Sequence, residues 1–184
     1  MMNKLLWIAL PLLSLAACNS GKKVEAENAS VEEVAAKVRA ANAGGEFTVR
    51  PGKWQSTVVL EKMDIPGMPP EAKAHIQKTM ASRMTGVETC LTPEQAKKPS
   101  EDFFSGVKGN CTYEKFSMDG GKIDGVMRCG EEGRNQRIAF NGNYQPESYD
   151  MHMESTVEGS SPMSMAMKIS AKRVGDCDGK TAAN

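Results

Sequence analysis

From residue 47 onward, apolar and polar positions mostly alternate instead of recurring every three or four residues. Residues 53–62 alternate and are rich in β-branched side chains, which predicts a strand. The run Asp64-Ile65-Pro66-Gly67-Met68-Pro69-Pro70 ends it, because three prolines and a glycine leave no regular structure. Residues 71–84 switch to helical spacing, with Ile76, Met80 and Met84 four apart. A strand at about 86–91 follows. Thr92-Pro93-Glu94 then opens a helix of one or two turns, since Thr caps and Pro suits the first helical position. After Cys111 the pattern is a meander, with strands near 112–118, 122–129, 135–142, 148–157 and 163–174. Turn chemistry parts them at Asp119-Gly120-Gly121, Glu132-Gly133, Gln145-Pro146 and Gly159-Ser160-Ser161-Pro162. The prediction is an α+β fold dominated by β. Its core is a curved antiparallel meander sheet of about six to seven strands, with short N-terminal and inserted helices.

The N-terminal part reads differently. In 30–42, Ser30 caps with Glu33 three residues on, and Val31, Val34, Ala35 and Val38 share one helical face. This is a short amphipathic helix ended by Gly44-Gly45, which either docks on the domain or projects as a spacer. Residues 19–29 are small, polar and charged, as a tether is. Residues 1–4 are a basic start and 5–13 an apolar run of signal-peptide length, shorter than the about 20 residues of a permanent span. The run ends Leu15-Ala16-Ala17-Cys18, which resembles the lipobox of bacterial lipoproteins. That resemblance implies cleavage before Cys18 and acylation of its thiol; the alternative is an ordinary cleaved signal that carries a cysteine. Acyl chains hold a protein to a membrane by about 0.8 kcal/mol per buried methylene. Asn19, in place of the Asp that marks inner-membrane retention in lipoproteins, points to the periplasmic face of the outer membrane. The expected organisation is a lipoprotein signal peptide at 1–17 and a lipidated tether with a helix at 18–46. A disulfide-stapled β-rich domain at 47–177 and a polar tail at 178–184 complete it.

Composition narrows the function classes. The chain has 184 residues, with 23 basic side chains against 23 acidic ones, so it lacks the basic excess of a general nucleic-acid binder. Hydrophobic residues make up 40%, aromatics only 5%, and the chain holds 13 methionines. Without Cys18, four cysteines remain: Cys90, Cys111, Cys129 and Cys177. An even number in an exported domain predicts two disulfides, and the lack of C-x-x-C or a nearby His gives a zinc site little support. Cys111 and Cys129 are symmetric about Gly120, so a hairpin turning there sets them opposite each other and leaves Cys90 for Cys177. The rival pairing joins Cys90 to Cys111 and Cys129 to Cys177.

Several short runs together point to a family. Pro51-Gly52-Lys53-Trp54 opens a strand and a Met/Pro/Gly segment follows; Cys90-Leu91-Thr92-Pro93-Glu94-Gln95-Ala96 and Gly175-Asp176-Cys177 come later. With the four-cysteine spacing, these resemble domain-of-unknown-function family 3617, small exported proteins of proteobacteria. The resemblance covers roughly 47–177 and implies no activity or catalytic residues. The inserted helix at 71–84 and the N-terminal helix are additions relative to shorter members.

The methionines carry the most specific chemistry. Met151 and Met153, then Met163, Met165 and Met167, alternate, and spacing two puts each set on one strand face. Two strands joined through the turn at 159–162 would present five thioethers side by side. Soft thioethers select Cu(I), which makes a copper site one reading; His152 falls on the other strand face and does not join it. A methionine-filled core face is the plain structural reading. Between them stands a face that accommodates an acyl chain or another envelope lipid, as flexible methionine surfaces do, with the loop bearing Met63 and Met68 as a lid.

No nucleophile elbow, P-loop, dinucleotide fingerprint or H-E-x-x-H occurs, and His75 and His152 lack motif partners. The carboxylates of Glu131-Glu132 and Glu101-Asp102 read as solvated turns. Lys97-Lys98, Arg134 and Arg137 lie among acids and read as surface. Trp54, Phe103 and Phe104 read as core anchors more readily than as a recognition patch. The expectation is a non-enzymatic envelope lipoprotein without cofactor, binding a hydrophobic or envelope-derived ligand. Cu(I) binding through the methionines and a ligand-free protein-interaction role are the alternatives. Its membrane contact runs through the lipidated N-terminus, and no nucleic acid is expected.

Overall fold

The computed structural model describes residues 23–42, 49–96, 110–131, 134–159 and 162–178. The expected signal peptide, Cys18, Phe103, Phe104, Lys97, Lys98, Glu101, Asp102 and most of the polar tail lie outside them. In chain order the elements are β1 (Val24–Ser30), α1 (Val31–Ala41), β2 (Gly52–Asp64), α2 (Pro70–Arg83), β3 (Thr85–Leu91) and α3 (Pro93–Ala96). Then come β4 (Asn110–Asp119), β5 (Lys122–Glu131), β6 (Arg134–Gln145), β7 (Ser148–Gly159) and β8 (Met163–Gly175). All eight strands join one open antiparallel sheet in the order β1-β4-β5-β6-β7-β8-β2-β3. The β-dominated antiparallel meander read from the pattern is the fold, with one strand more than expected.

The added strand is β1, and it corrects the expected domain map. Residues 24–30, read as tether, pair with β4 from Val24 opposite Met118 to Ser30 opposite Thr112. Val24, Ala26 and Ala29 are buried. Their alternation is interrupted at Asn28, whose φ of +48° puts it in the left-handed region that Asn tolerates. Its position is opposite Glu114, where β4 itself carries one extra residue against β5. The two irregularities compensate, so Ala29 and Tyr113 return to the same face. A strand with a mid-length kink shows only weak period two, which is why the pattern reads as linker.

α1 docks and does not act as a spacer. Glu33 N–H donates to the Ser30 hydroxyl at 3.1 Å, and Val34, Ala35 and Val38 are buried. Val34 and Val38 join a core of Val24, Ala26, Ala29, Tyr113, Phe116, Met118, Met127, Ile138, Phe140 and Met151. The folded body therefore begins by Val24, well before residue 47. At α3, the Thr92 hydroxyl accepts from Gln95 N–H at 3.2 Å, while the Gln95 side chain accepts from Thr92 N–H at 2.9 Å. This reciprocal pair is a capping box.

Both disulfides follow the hairpin logic. Cys111 stands directly opposite Cys129 on β4 and β5 and is bonded to it, with Cα atoms 4.0 Å apart. Cys90 of edge strand β3 is bonded to Cys177, just past β8, with Cα atoms 5.6 Å apart. Because β2 lies between β3 and β8, the second bridge fastens the outer strand to the meander across its neighbour. The rival pairing is excluded.

Candidate functional site

Register fixes which side chains share the sheet's apolar face. One row runs Phe116, Gly125, Phe140, Met153, Met167, Leu60 from β4 to β2; the next runs Tyr113, Met127, Ile138, Ser155, Met165, Met63. A flanking row runs Met118, Ile123, Gly142, Met151, Ile169, Val58. All five methionines singled out in the sequence therefore lie on one face, and Met63 joins them opposite Met165. The spacing of Met63 carried no such signal, because β2 gains an extra residue between Leu60 and Lys62 that shifts its alternation.

The five are not equivalent. Met151 is buried in the core over Gly142, where a Cβ would meet its Cα at 2.9 Å and its Cγ at 3.0 Å. Met153, Met163, Met165 and Met167 are only half-buried, as are Met63 and Leu60. The difference is one of position along the same strand: Met151 belongs to the buried core cluster with Met118 and Phe140, and Met153, two residues on, packs against that cluster only partly buried. Among the described elements, α1 packs on β1 and β4, and α2 packs on β2 and β3. In strand order, the half-buried strip over β7, β8 and β2 falls between the strands that carry α1 and those that carry α2.

The position of α2 has a simple metric reason. β3 pairs with β2 only as far as Thr57, so among the described residues the outer edge of β2 from Val58 to Asp64 has no strand neighbour. Val58 N–H donates to the Met84 carbonyl just past the end of α2, and Lys73 near its start reaches the Asp64 carboxylate at 2.9 Å. A helix of 14 residues spans about 21 Å, and six strand steps span about 20 Å. The helix therefore runs alongside the edge β3 leaves unpaired. It buries no side chain fully; Ile76, Met80 and Met84 are half-buried.

Polar groups sort to the other face or the ends. His152 meets Glu61 at 3.0 Å on the face opposite the methionines, where strand alternation puts it. On the methionine face the polar exceptions include Ser155 and Gln136, with Gln136 Nε2 donating to Ser155 Oγ at 2.9 Å. His75 is exposed on α2. A recess of about 570 Å³ at the β1 and β4 side is lined by Glu25, Glu27, Lys37, Lys115 and Asp124 and does not involve the strip. Among the described residues no group of three His, Cys, Asp or Glu side chains is arranged to hold a metal. No helix among them is long and apolar enough to cross a membrane.

The far end of the strip is closed by Trp54, a core anchor. Its Nε1 donates to the Arg50 carbonyl at 3.0 Å, and its ring lies 5.9 Å from that of Tyr149. Arg173 Nε donates to the Pro51 carbonyl at 2.8 Å. Gly52, with φ of +142°, admits that guanidinium: a Cβ there would sit 2.6 Å from Arg173 Nε. Burial raises the Tyr149 phenol pKa, against a lowering by its hydrogen bond with Ser56. Desolvation also pushes Tyr144, at the β6–β7 end, up to about 12.

Residues 49–177 match the family described as Protein of unknown function (DUF3617). The match spans β2 to Cys177 and so takes in the Trp54 corner, both disulfides and the methionine strip. No curated protein matches the chain, and no solved structure does.

Proposed function

The chain belongs to the DUF3617 family of proteins of unknown function, and we propose that this member binds a hydrophobic ligand on its methionine strip while held to the envelope by a lipid on Cys18. One observation carries the reading. Met153, Met163, Met165 and Met167, with Met63 and Leu60, form a continuous apolar strip that stays half-buried between α1 and α2. A face built only as core would be covered as Met151 is. Unbranched thioether side chains adapt their shape to varied apolar partners, which suits a ligand of variable acyl structure. The lipobox at Cys18 and two disulfides are consistent with an exported, oxidising location at the periplasmic face of the outer membrane.

The copper alternative uses the same residues, since Met153 faces Met167 and Met63 faces Met165 across strand pairs. Native mass spectrometry of the protein purified gently from expressing cells separates the readings. A co-purified lipid mass supports the proposal. An added mass of copper, or tight uptake of silver(I) lost in Met165→Leu/Met167→Leu, would replace it with metal binding. A bare chain that takes up neither lipid nor silver would move the reading to a protein-interaction role.

A further inference from the structure

Ser155 is the only non-aromatic polar residue buried among those described, at 5% exposure. Its neighbours directly across, Ile138 and Met165, and along its own strand, Met153 and Val157, are apolar, and Gln136 is its one polar contact on that face among the described residues. A hydroxyl in such surroundings is unfavourable unless its hydrogen bonds are met. Gln136 Nε2 donates to its oxygen at 2.9 Å, which uses a lone pair and leaves the hydroxyl proton to donate. Gln136 thus orients a buried donor beside the half-buried strip, between core residue Ile138 and Met165.

Charge is sorted just as sharply. On the β7 and β8 rows from Met163 to Ala171, alternation sends His152, Glu154 and Lys168 to the opposite face. Arg173, beyond them, is engaged with the Pro51 carbonyl and Asp176. A carboxylate bound here would lose its hydration without a counter-charge, whereas an ester carbonyl needs only a donor. We infer that the strip takes an uncharged acyl ester, its carbonyl accepting from Ser155 Oγ–H and its chain lying on Met153, Met165 and Met167. This rests on the strip being a binding surface.

Displacement of the neutral fluorophore N-phenylnaphthylamine from the purified protein tests both levels. The competitors are monooleoylglycerol, oleate and octadecene. The expected order puts monooleoylglycerol ahead of the other two. Ser155→Ala should weaken monooleoylglycerol about five-fold, the worth of one hydrogen bond, and leave octadecene unchanged. Gln136→Met, which removes the orienting donor, should lower the same ratio. Because the ester-to-hydrocarbon ratio is read within each variant, a loss of stability cannot mimic the effect. Oleate binding as tightly as the ester, or a ratio unmoved by Ser155→Ala, would overturn the ester assignment and leave a hydrophobic site standing. A protein that binds neither the fluorophore nor any competitor would remove the hydrophobic site itself.

Discussion

Met153 and Met167 face each other across β7 and β8, while Met151, two residues before Met153, lies buried against Gly142. One alternating pattern thus supplies both core and half-buried surface. Met151→Ala should cost about 2–5 kcal/mol, as deleting a buried side chain does. Met165→Ala, half-buried, should cost about 1 kcal/mol. Urea unfolding of the two variants checks this. Equal losses would mean that Met165 is as much core as Met151.

Gly142 and Gly130 give a paired test of close packing. A Cβ at Gly142 would collide with the Asp150 carbonyl oxygen, whereas one at Gly130 meets nothing within 4 Å. Backbone oxygen in the β6–β7 ladder cannot rotate away like a side chain. Gly142→Ala should therefore lose about 3 kcal/mol or more, and Gly130→Ala should stay within about 0.5 kcal/mol of the parent. Melting curves of both variants decide it, and a stable Gly142→Ala would refute the β6–β7 register.

The two bridges should differ in worth. Cys90–Cys177 closes 87 residues and Cys111–Cys129 closes 18. Chain-entropy arguments give about 4.6 and 3.2 kcal/mol respectively. Replacing each pair by serine and comparing unfolding midpoints tests the order. The Cys90 pair should also loosen β3, which hydrogen exchange along Thr85–Leu91 would report.

Alkaline pH should destabilise the fold through its tyrosines. Burial raises the pKa of Tyr113 and Tyr149 and pushes Tyr144 up to about 12. Unfolded phenols ionise near pH 10. The folded chain therefore holds protons that the unfolded chain releases. Stability is complete below about pH 10 and falls as pH rises towards 12. Phenolate absorbance should lag behind that of free tyrosine until the chain unfolds. Ordinary titration near pH 10 in a still-folded protein would contradict the burial.

Much of this architecture was legible in local sequence because local chemistry causes it. Asp119-Gly120-Gly121 sets a hairpin, with both glycines at positive φ, and the hairpin in turn puts Cys111 opposite Cys129. Ser30 and Thr92 cap the helices they precede. Strict alternation at 151–153 and at 163–167 assigns each set of methionines to one face of its own strand, and the β7–β8 register makes it the same face.

Contacts between distant segments were decided only by the folded chain. That residues 24–30 form an edge strand depends on β4 offering a matching irregularity at Glu114, and no pattern within 24–30 announces it. Met63 reaches the strip through a bulge, and α2 lies beside β2 because β3 stops pairing at Thr57. Met151 and Met153 share one face of β7, yet only Met151 is fully buried, a difference that alternation does not announce. Alternation tells a strand which side chains share a face, but the cover over that face comes from elements far away in sequence, and burial follows the cover.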